Sequence, residues 1–181
     1  MAHDALSNFI ENTRAAFGPL TTELVSTVRD ELEQLTAAPG SEPWLRALHD
    51  AAPASQELHR DSTHGFVLLA HSEATDLYRP PHDHGRGWVI YALQRGEMEI
   101  GTYARVEDPD GRVRLVQRDA SPLRAGEARI YLPGDIHDTR CVRGPSLLFR
   151  FTDRDLKRED REGRLTRYVS RNGIWTTGGA T

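Results

Sequence analysis

Three histidines carry the first chemical argument of this sequence. His82 and His84 stand two apart in Pro80-Pro81-His82-Asp83-His84-Gly85, and His137 ends the segment Pro133-Gly134-Asp135-Ile136-His137. On an extended strand side chains repeat with a period of two, so His82 and His84 are expected on one face. Two neutral imidazoles side by side are a natural start for a divalent-metal site. A third, placed after a Pro-Gly turn on another strand, would complete one coordination face. Three protein ligands leave positions open for water, oxygen or substrate, as a catalytic site needs and a closed structural site lacks.

The elements that must position these rings fall into two parts. In the N-terminal quarter, Leu6, Phe9, Ile10 and Thr13 recur at helical spacing until Gly18-Pro19. Thr21 or Thr22 can cap a second helix with the stripe Leu20, Leu24, Val28, Leu32 and Leu35, ending before Ala38-Pro39-Gly40. A short third helix follows, with Pro43 in its first turn. The period then changes. Gly65 to Ala70 reads as a buried strand, and further strands are predicted over Gly87 to Gln94, Met98 to Val106, Arg112 to Val116, Ala128 to Leu132, Asp138 to Val142 and Ser146 to Phe151. Turn signals between them include Arg95-Gly96-Glu97, Pro133-Gly134 and Arg143-Gly144-Pro145. Many short strands punctuated by Gly and Pro predict a sandwich or barrel. After Phe151 the charged run predicts a solvated helix, one more strand at Tyr168-Val169-Ser170 and a frayed Gly-rich tail.

The expected fold is therefore mainly β, a single domain with a sandwich or barrel over residues 59–152. A helical extension over 1–58 precedes it, and a helix, a strand and a tail over 153–181 follow it. A jelly-roll barrel can bring residues distant in sequence onto adjacent inward-facing positions. The chain of 181 residues is long enough for a real core, and its net charge of −4 offers no basic footprint for nucleic acid. No apolar run approaches a membrane span, and the first residues show no signal-peptide pattern. The single cysteine, Cys141, excludes an internal disulfide framework and fits a reducing, cytoplasmic setting.

The histidine segments resemble the two motifs of the cupin superfamily. His82, His84 and Gly96 fall in register with the first motif, while Gly126, Pro133, Gly134 and His137 approximately match the second. The resemblance spans about residues 62–152 and implies a double-stranded β-helix barrel holding a metal. Val89 stands where many cupins carry a glutamate ligand, Asp76 where the first glycine would be, and Cys141 where an asparagine would be. A three-histidine site without a carboxylate is similar to that of the cysteine and 3-mercaptopropionate (thiol) dioxygenases, as are the Pro-x-His-Asp-His-Gly-x-x-Trp and Pro-Gly-Asp-Ile-His stretches and the preceding helices. That resemblance implies Fe(II), O2 and a small organic acid or thiol as substrate, with Zn, Ni or Mn as alternative metals. It also implies a substrate-carboxylate arginine near the start of the barrel, for which Arg60 is the match by position. On the late strand those enzymes carry Ser-x-His-x-Tyr. Here Leu147 to Phe151 puts Phe149 and Phe151 at the His and Tyr positions.

Further candidates come from residue chemistry. Tyr91 and Tyr131 can donate to bound oxygen species or pack in the core. Arg79, Arg86, Arg129 and Arg150, like Arg60, can pair bidentately with an acid. Arg129 and Arg150 lie within predicted strands, so one of them is a candidate to point into the barrel. Trp88 is expected in the barrel wall, and Glu97 and Glu99 on a polar hairpin face. Asp83 and Asp138 should point away from the histidines, with a hydrogen bond to an imidazole left open. His64 and His71 are read as structural or exposed, and Cys141 as a small buried hydrophobe. The sequence thus predicts a metal-dependent cupin enzyme, a dioxygenase using His82, His84 and His137 with Tyr91, Tyr131 and Arg60 as catalytic candidates. Its partners would be a small-molecule substrate and O2, without nucleic acid or membrane, and a homodimer is left open. A non-oxidative lyase, isomerase or hydrolase and a non-catalytic small-molecule binder remain the alternatives.

Overall fold

The structure, a computed structural model, describes residues 4–178; the last residues of the Gly-rich tail lie outside the described residues. Three helices come first. Asp4 caps α1 (Ala5–Ala16) by accepting from the Ser7 N–H, and Thr21 caps α2 (Thr22–Thr36) by accepting from the Leu24 N–H at 3.1 Å. Pro43 opens α3 (Pro43–Ala51), where its missing N–H costs nothing. The apolar stripes of these helices bury Phe9, Val28, Leu32, Leu35, Leu45 and Leu48 against one face of the sheet.

Two long bent strands organise the rest. β4 (Val89–Glu107) and β7 (Ile136–Thr152) are antiparallel partners along most of their length. The first half of β4 lies between the second half of β7 and β6 (Ala128–Tyr131), while its second half lies between the first half of β7 and β5 (Val113–Arg124). On the other side of β7, β2 (Val67–Glu73) flanks its second half and β3 (Tyr78–His82) its first, with β1 (Gln56–Arg60) beyond β2. Two sheets sharing two bent strands make a jelly-roll barrel, mainly β with N-terminal helices, as expected. Among the described residues no helix is long and apolar enough to cross a membrane.

Several elements differ from the sequence reading. Arg95-Gly96-Glu97 and Arg143-Gly144-Pro145 are bends within β4 and β7, not turns between separate strands. They lie opposite one another, with Glu97 facing Arg143. Gly96 has φ +93°, and a Cβ there would sit 2.6 Å from the Arg143 carbonyl, so glycine lets both strands bend together without ending the ladder. β5 continues past Val116 through a polar, exposed run containing Pro122, which an edge strand tolerates. β1 is an additional strand, and β3 is the strand expected to carry His82, although it ends there and leaves His84 in the following loop. β2 lies two to three residues later than predicted, which places His71 and Glu73 inside a strand rather than beyond it.

The C-terminal segment also departs from expectation. α4 (Leu156–Arg161) starts the charged run, but β8 (Tyr168–Arg171) pairs with β9 (Ile174–Thr177), so this part of the predicted frayed tail is a hairpin. Its two-residue turn, Asn172-Gly173, has φ of +52° and +78°, the backbone twist that suits a tight hairpin. The hairpin is fastened to the barrel by Trp175 against Tyr78 and by the Thr176 hydroxyl donating to the Val113 carbonyl at 2.7 Å.

Candidate metal centre

His82 ends β3, His84 lies in the loop just beyond it, and His137 is the second residue of β7. His82 and His137 are direct cross-strand partners, which brings residues 55 positions apart in sequence onto one face. His84 reaches the same point by a different route from the strand alternation first expected. The chain leaves β3 after His82, and Asp83 turns outward to accept from the Gly85 N–H at 3.0 Å and the Thr166 N–H at 2.9 Å. Gly85, at φ +62°, completes the bend; a Cβ there would lie 2.9 Å from Glu159 Oε2 and 3.1 Å from the Arg164 carbonyl.

One ligand nitrogen from each of the three rings lies within 4.8 Å of the others. The Nε2 atoms of His84 and His137 are 3.4 Å apart. Two imidazoles each about 2.0–2.1 Å from one first-row ion have that order of separation. His82 is held by its Nδ1–H, which donates to the Pro80 carbonyl at 2.9 Å, so its Nε2 lone pair is free for a ligand role. Burial lowers the pKa of all three. His84 is pushed down to about 3, with the His82 ring and the Arg150 guanidinium adding to the effect, and His137 lies well below the usual histidine range for the same reasons. The rings are therefore neutral at neutral pH, the form that binds a metal. Among the described residues no carboxylate joins the cluster. The donor set fits one divalent transition ion held by three imidazoles.

The surroundings of these rings are aromatic rather than acidic. Tyr131 stacks on His137 with centroids 4.0 Å apart and planes at 15°, and Tyr91 packs 5.2 Å from His137 and 6.3 Å from His84. Burial raises the pKa of both tyrosines, which stay protonated. Only Tyr91 of the two lines the cavity described below. Asp138 points to the opposite face, as expected, and serves no imidazole. Its carboxylate accepts from the Gly101 N–H and from the hydroxyls of Tyr78 and Tyr103 at 2.8, 2.8 and 2.6 Å. The Nδ1 atoms of His84 and His137 are buried without a hydrogen-bond partner, so packing rather than a carboxylate orients these two rings.

A cavity of about 570 Å³ opens from His82 and His84. Its walls include His71, Glu73, Tyr91, Thr139, Leu148 and Arg150. Its roof is the C-terminal segment, through Leu156 and Asp160 of α4 and through Leu165, Arg167 and Tyr168. The roof is pinned at two points. Glu159, 2 % exposed, accepts from Arg164 and from the Arg86 N–H, and the Arg164 bond holds its carboxyl down at about 2. Arg167 pairs bidentately with Asp160 at 2.6 and 2.9 Å.

The structure does not bring Arg60 to the histidines. Its guanidinium pairs with Glu57 at 2.7 Å and approaches Asp155 at 3.4 Å, and it is not among the cavity's lining residues. Arg129 holds the edge strand instead, donating to Ser121 and to the Pro122 carbonyl. Of Arg129 and Arg150, Arg150 faces the cavity; Arg79 and Arg167 line it too, paired with Glu73 and Asp160. Alternation along β7 places Leu148 and Arg150 inward, while Phe149 and Phe151 face the helical layer, where they meet Trp44, Phe9, Phe66 and Trp88. Phe149 and Phe151 are thus core residues, and Trp88 belongs to that core rather than to the cavity wall. His71 and Glu73 were missed because the strand was placed too early. The signal available was the alternation Leu69, His71, Glu73 against the apolar Leu68 and Ala70.

No protein-family model matches the chain, and no curated protein matches it. Similar solved structures include KdgF from Halomonas sp., at 15% identity over 54% of this chain and 74% of that one, with a TM-score of 0.43. The cupin domain of Cnp3 from Schizosaccharomyces pombe is similar at 11% identity over 60% and 69%, with a TM-score of 0.44. A cupin superfamily protein from Desulfitobacterium hafniense is similar at 16% identity over 56% and 76%, with a TM-score of 0.41. These likenesses concern the fold alone.

Proposed function

We propose that this protein is a metal-dependent cupin enzyme, a three-histidine Fe(II) dioxygenase acting with O2 on a small organic acid or thiol. The observation that carries the reading is the convergence of His82, His84 and His137, neutral and without a carboxylate, at a roofed cavity of about 570 Å³. Such a volume suits a small molecule. A bound ion supplies Lewis acidity and, as Fe(II), the electrons for oxygen chemistry. The chain's own residues supply the rest. The neutral imidazoles of His82, His84 and His137 would hold the ion. Tyr91, protonated and adjoining two of the rings, offers a hydroxyl proton to a ligand in the cavity. The roof over α4 and β8 limits the access of water.

The test is elemental analysis of protein purified without added metal, repeated on His82→Ala, followed by oxygen-electrode assays of the iron-loaded protein with short thiols and organic acids. The expected result is one iron per chain, lost in His82→Ala, and substrate-dependent oxygen uptake. Stoichiometric zinc or nickel, with no uptake after iron loading, would replace the dioxygenase by a non-oxidative Lewis-acid enzyme. That alternative is favoured by Phe149 and Phe151, which replace the His and Tyr of the thiol dioxygenase string and pack on Trp44 and Trp88 in the core.

A further inference from the structure

The wall of the cavity beyond the histidines holds polar groups that the proposed metal site does not use. β2 sends His71 and Glu73 inward, and β7 sends Thr139 and Arg150. Each has a buried polar atom with no hydrogen-bond partner: His71 Nε2, Glu73 Oε2, Thr139 Oγ1 and Arg150 Nε. Leaving such atoms unmatched is costly, and four along one wall form a pattern that a ligand or water must answer.

The roles of these atoms are determined by their other bonds. His71 Nδ1–H donates to the Ala54 carbonyl at 3.1 Å, so its Nε2 is an acceptor. Arg79 Nε donates to Glu73 Oε1 at 2.8 Å, which leaves Oε2 as a second acceptor. Arg150 Nε–H is a donor, and among the described residues no carboxylate forms an ion pair with this guanidinium. The charges of Glu73 and Arg79 offset one another, so Arg150 is the cation of this wall that lacks a counter-ion. The wall thus has a cationic donor at one place and two acceptors at another.

We propose that this wall is a binding subsite for a small carboxylate that carries a hydrogen-bond donor, hydroxyl or ammonium, on a neighbouring carbon. Arg150 takes the carboxylate, and Glu73 with His71 accepts from the donor group. For its reaction the inference rests on the metal-enzyme reading above, whereas the binding itself does not require the metal.

The probes are lactate, lactamide, propionate and alanine, titrated calorimetrically with metal content measured in every sample. Lactate or alanine should bind at least about tenfold more tightly than lactamide, the scale of a hydrogen bond to a charged group. Propionate, which lacks the donor, should bind more weakly than the preferred of the two. The choice between lactate and alanine tells hydroxyl from ammonium. Arg150→Met should abolish the preference for acid over amide without changing metal content. Should that variant not fold, Arg150→Lys serves: the acid preference persists while affinity falls severalfold. Glu73→Gln should reduce the preference over propionate. His82→Ala should lose metal yet keep the discrimination between acid and amide, so a failed metal site and a failed subsite give different results. Equal binding of acid and amide, or a folded Arg150 variant with unchanged affinity, overturns the proposal. So does discrimination that disappears with His82→Ala but survives Arg150→Met, because the carboxylate would then be on the metal.

Discussion

Tyr131 lies flat against His137, with ring centroids 4.0 Å apart and planes inclined by 15°. Because His137 Nδ1 has no hydrogen-bond partner, this stack does the orienting that a carboxylate does at many metal sites.

The stack makes Tyr131 a positioning residue, and its hydroxyl is buried without a partner. Tyr131→Phe should therefore be neutral or slightly stabilising and keep full metal affinity. Tyr131→Ala should cost about 3–5 kcal/mol of stability, as large-to-small core changes do. It should also weaken metal binding by about 10–100-fold, the effect of losing an orienting neighbour. Denaturant unfolding and a metal titration measure the two effects. An activity loss in Tyr131→Phe with metal affinity intact would give the hydroxyl a chemical role instead.

Gly85 should tolerate no side chain. Alanine there must adopt φ +62° and meet Glu159 Oε2 at 2.9 Å, whereas Gly126, at φ +91°, faces open space. Gly126→Ala should show the backbone cost alone, about 1–2 kcal/mol. Gly85→Ala should exceed it and also lower metal affinity, because His84 is the adjacent residue. Thermal unfolding of the two variants, with and without metal, makes the comparison.

Acid sensitivity should fall in two pH ranges, one set by buried histidines and one by buried carboxylates. His71 is pushed down to about 4 by burial, with Arg150 and Arg79 adding to the effect, while an unfolded histidine titrates near 6.5. Between those values the unfolded chain binds more protons, so this contribution is complete above about pH 6.5 and is lost as pH falls towards 4. For Asp61, burial alone would raise the pKa, but the N–H groups of His64 and Thr63 and the Arg14 guanidinium hold it well below the carboxylate range. Its contribution is complete above its unfolded pKa of about 4 and is lost as pH falls below that. Stability of the metal-free protein against pH should have a shallower upper slope in His71→Gln, where His82, His84 and His137 keep the rest, and a shallower lower slope in Asp61→Asn, where Glu159 keeps part.

Phe151 should matter to stability and not to the metal. It packs on Phe66 and Trp88 at 5.6 and 5.1 Å, on the helix side of β7. Phe151→Ala should cost about 3–5 kcal/mol. The folded fraction should bind metal with unchanged stoichiometry, which elemental analysis of the soluble variant would check.

The features legible in the amino-acid order were local. The 3.6-residue stripes and their caps defined the three N-terminal helices, because helix formation depends on neighbours a few residues away. The change to short apolar runs punctuated by Gly and Pro identified a β-barrel, and the spacing of His82, His84 and His137 marked the candidate metal ligands. Even the hairpin that was missed had its local signal in Asn172-Gly173.

Facing and register depended on contacts between distant strands. Whether Arg95-Gly96-Glu97 ends a strand or bends it depends on Arg143 lying opposite, a contact no local window contains. A shift of two to three residues in β2 brought His71 and Glu73 from a presumed strand end into the cavity. The alternation of β7 turned Phe149 and Phe151 to the helices and Arg150 to the histidines. In a strand a one-residue change of register exchanges inside for outside, so the composition of the site's wall was settled by pairing across the sheets. The three-histidine cluster was legible because its chemistry survives that uncertainty; the wall of the cavity beside it was not.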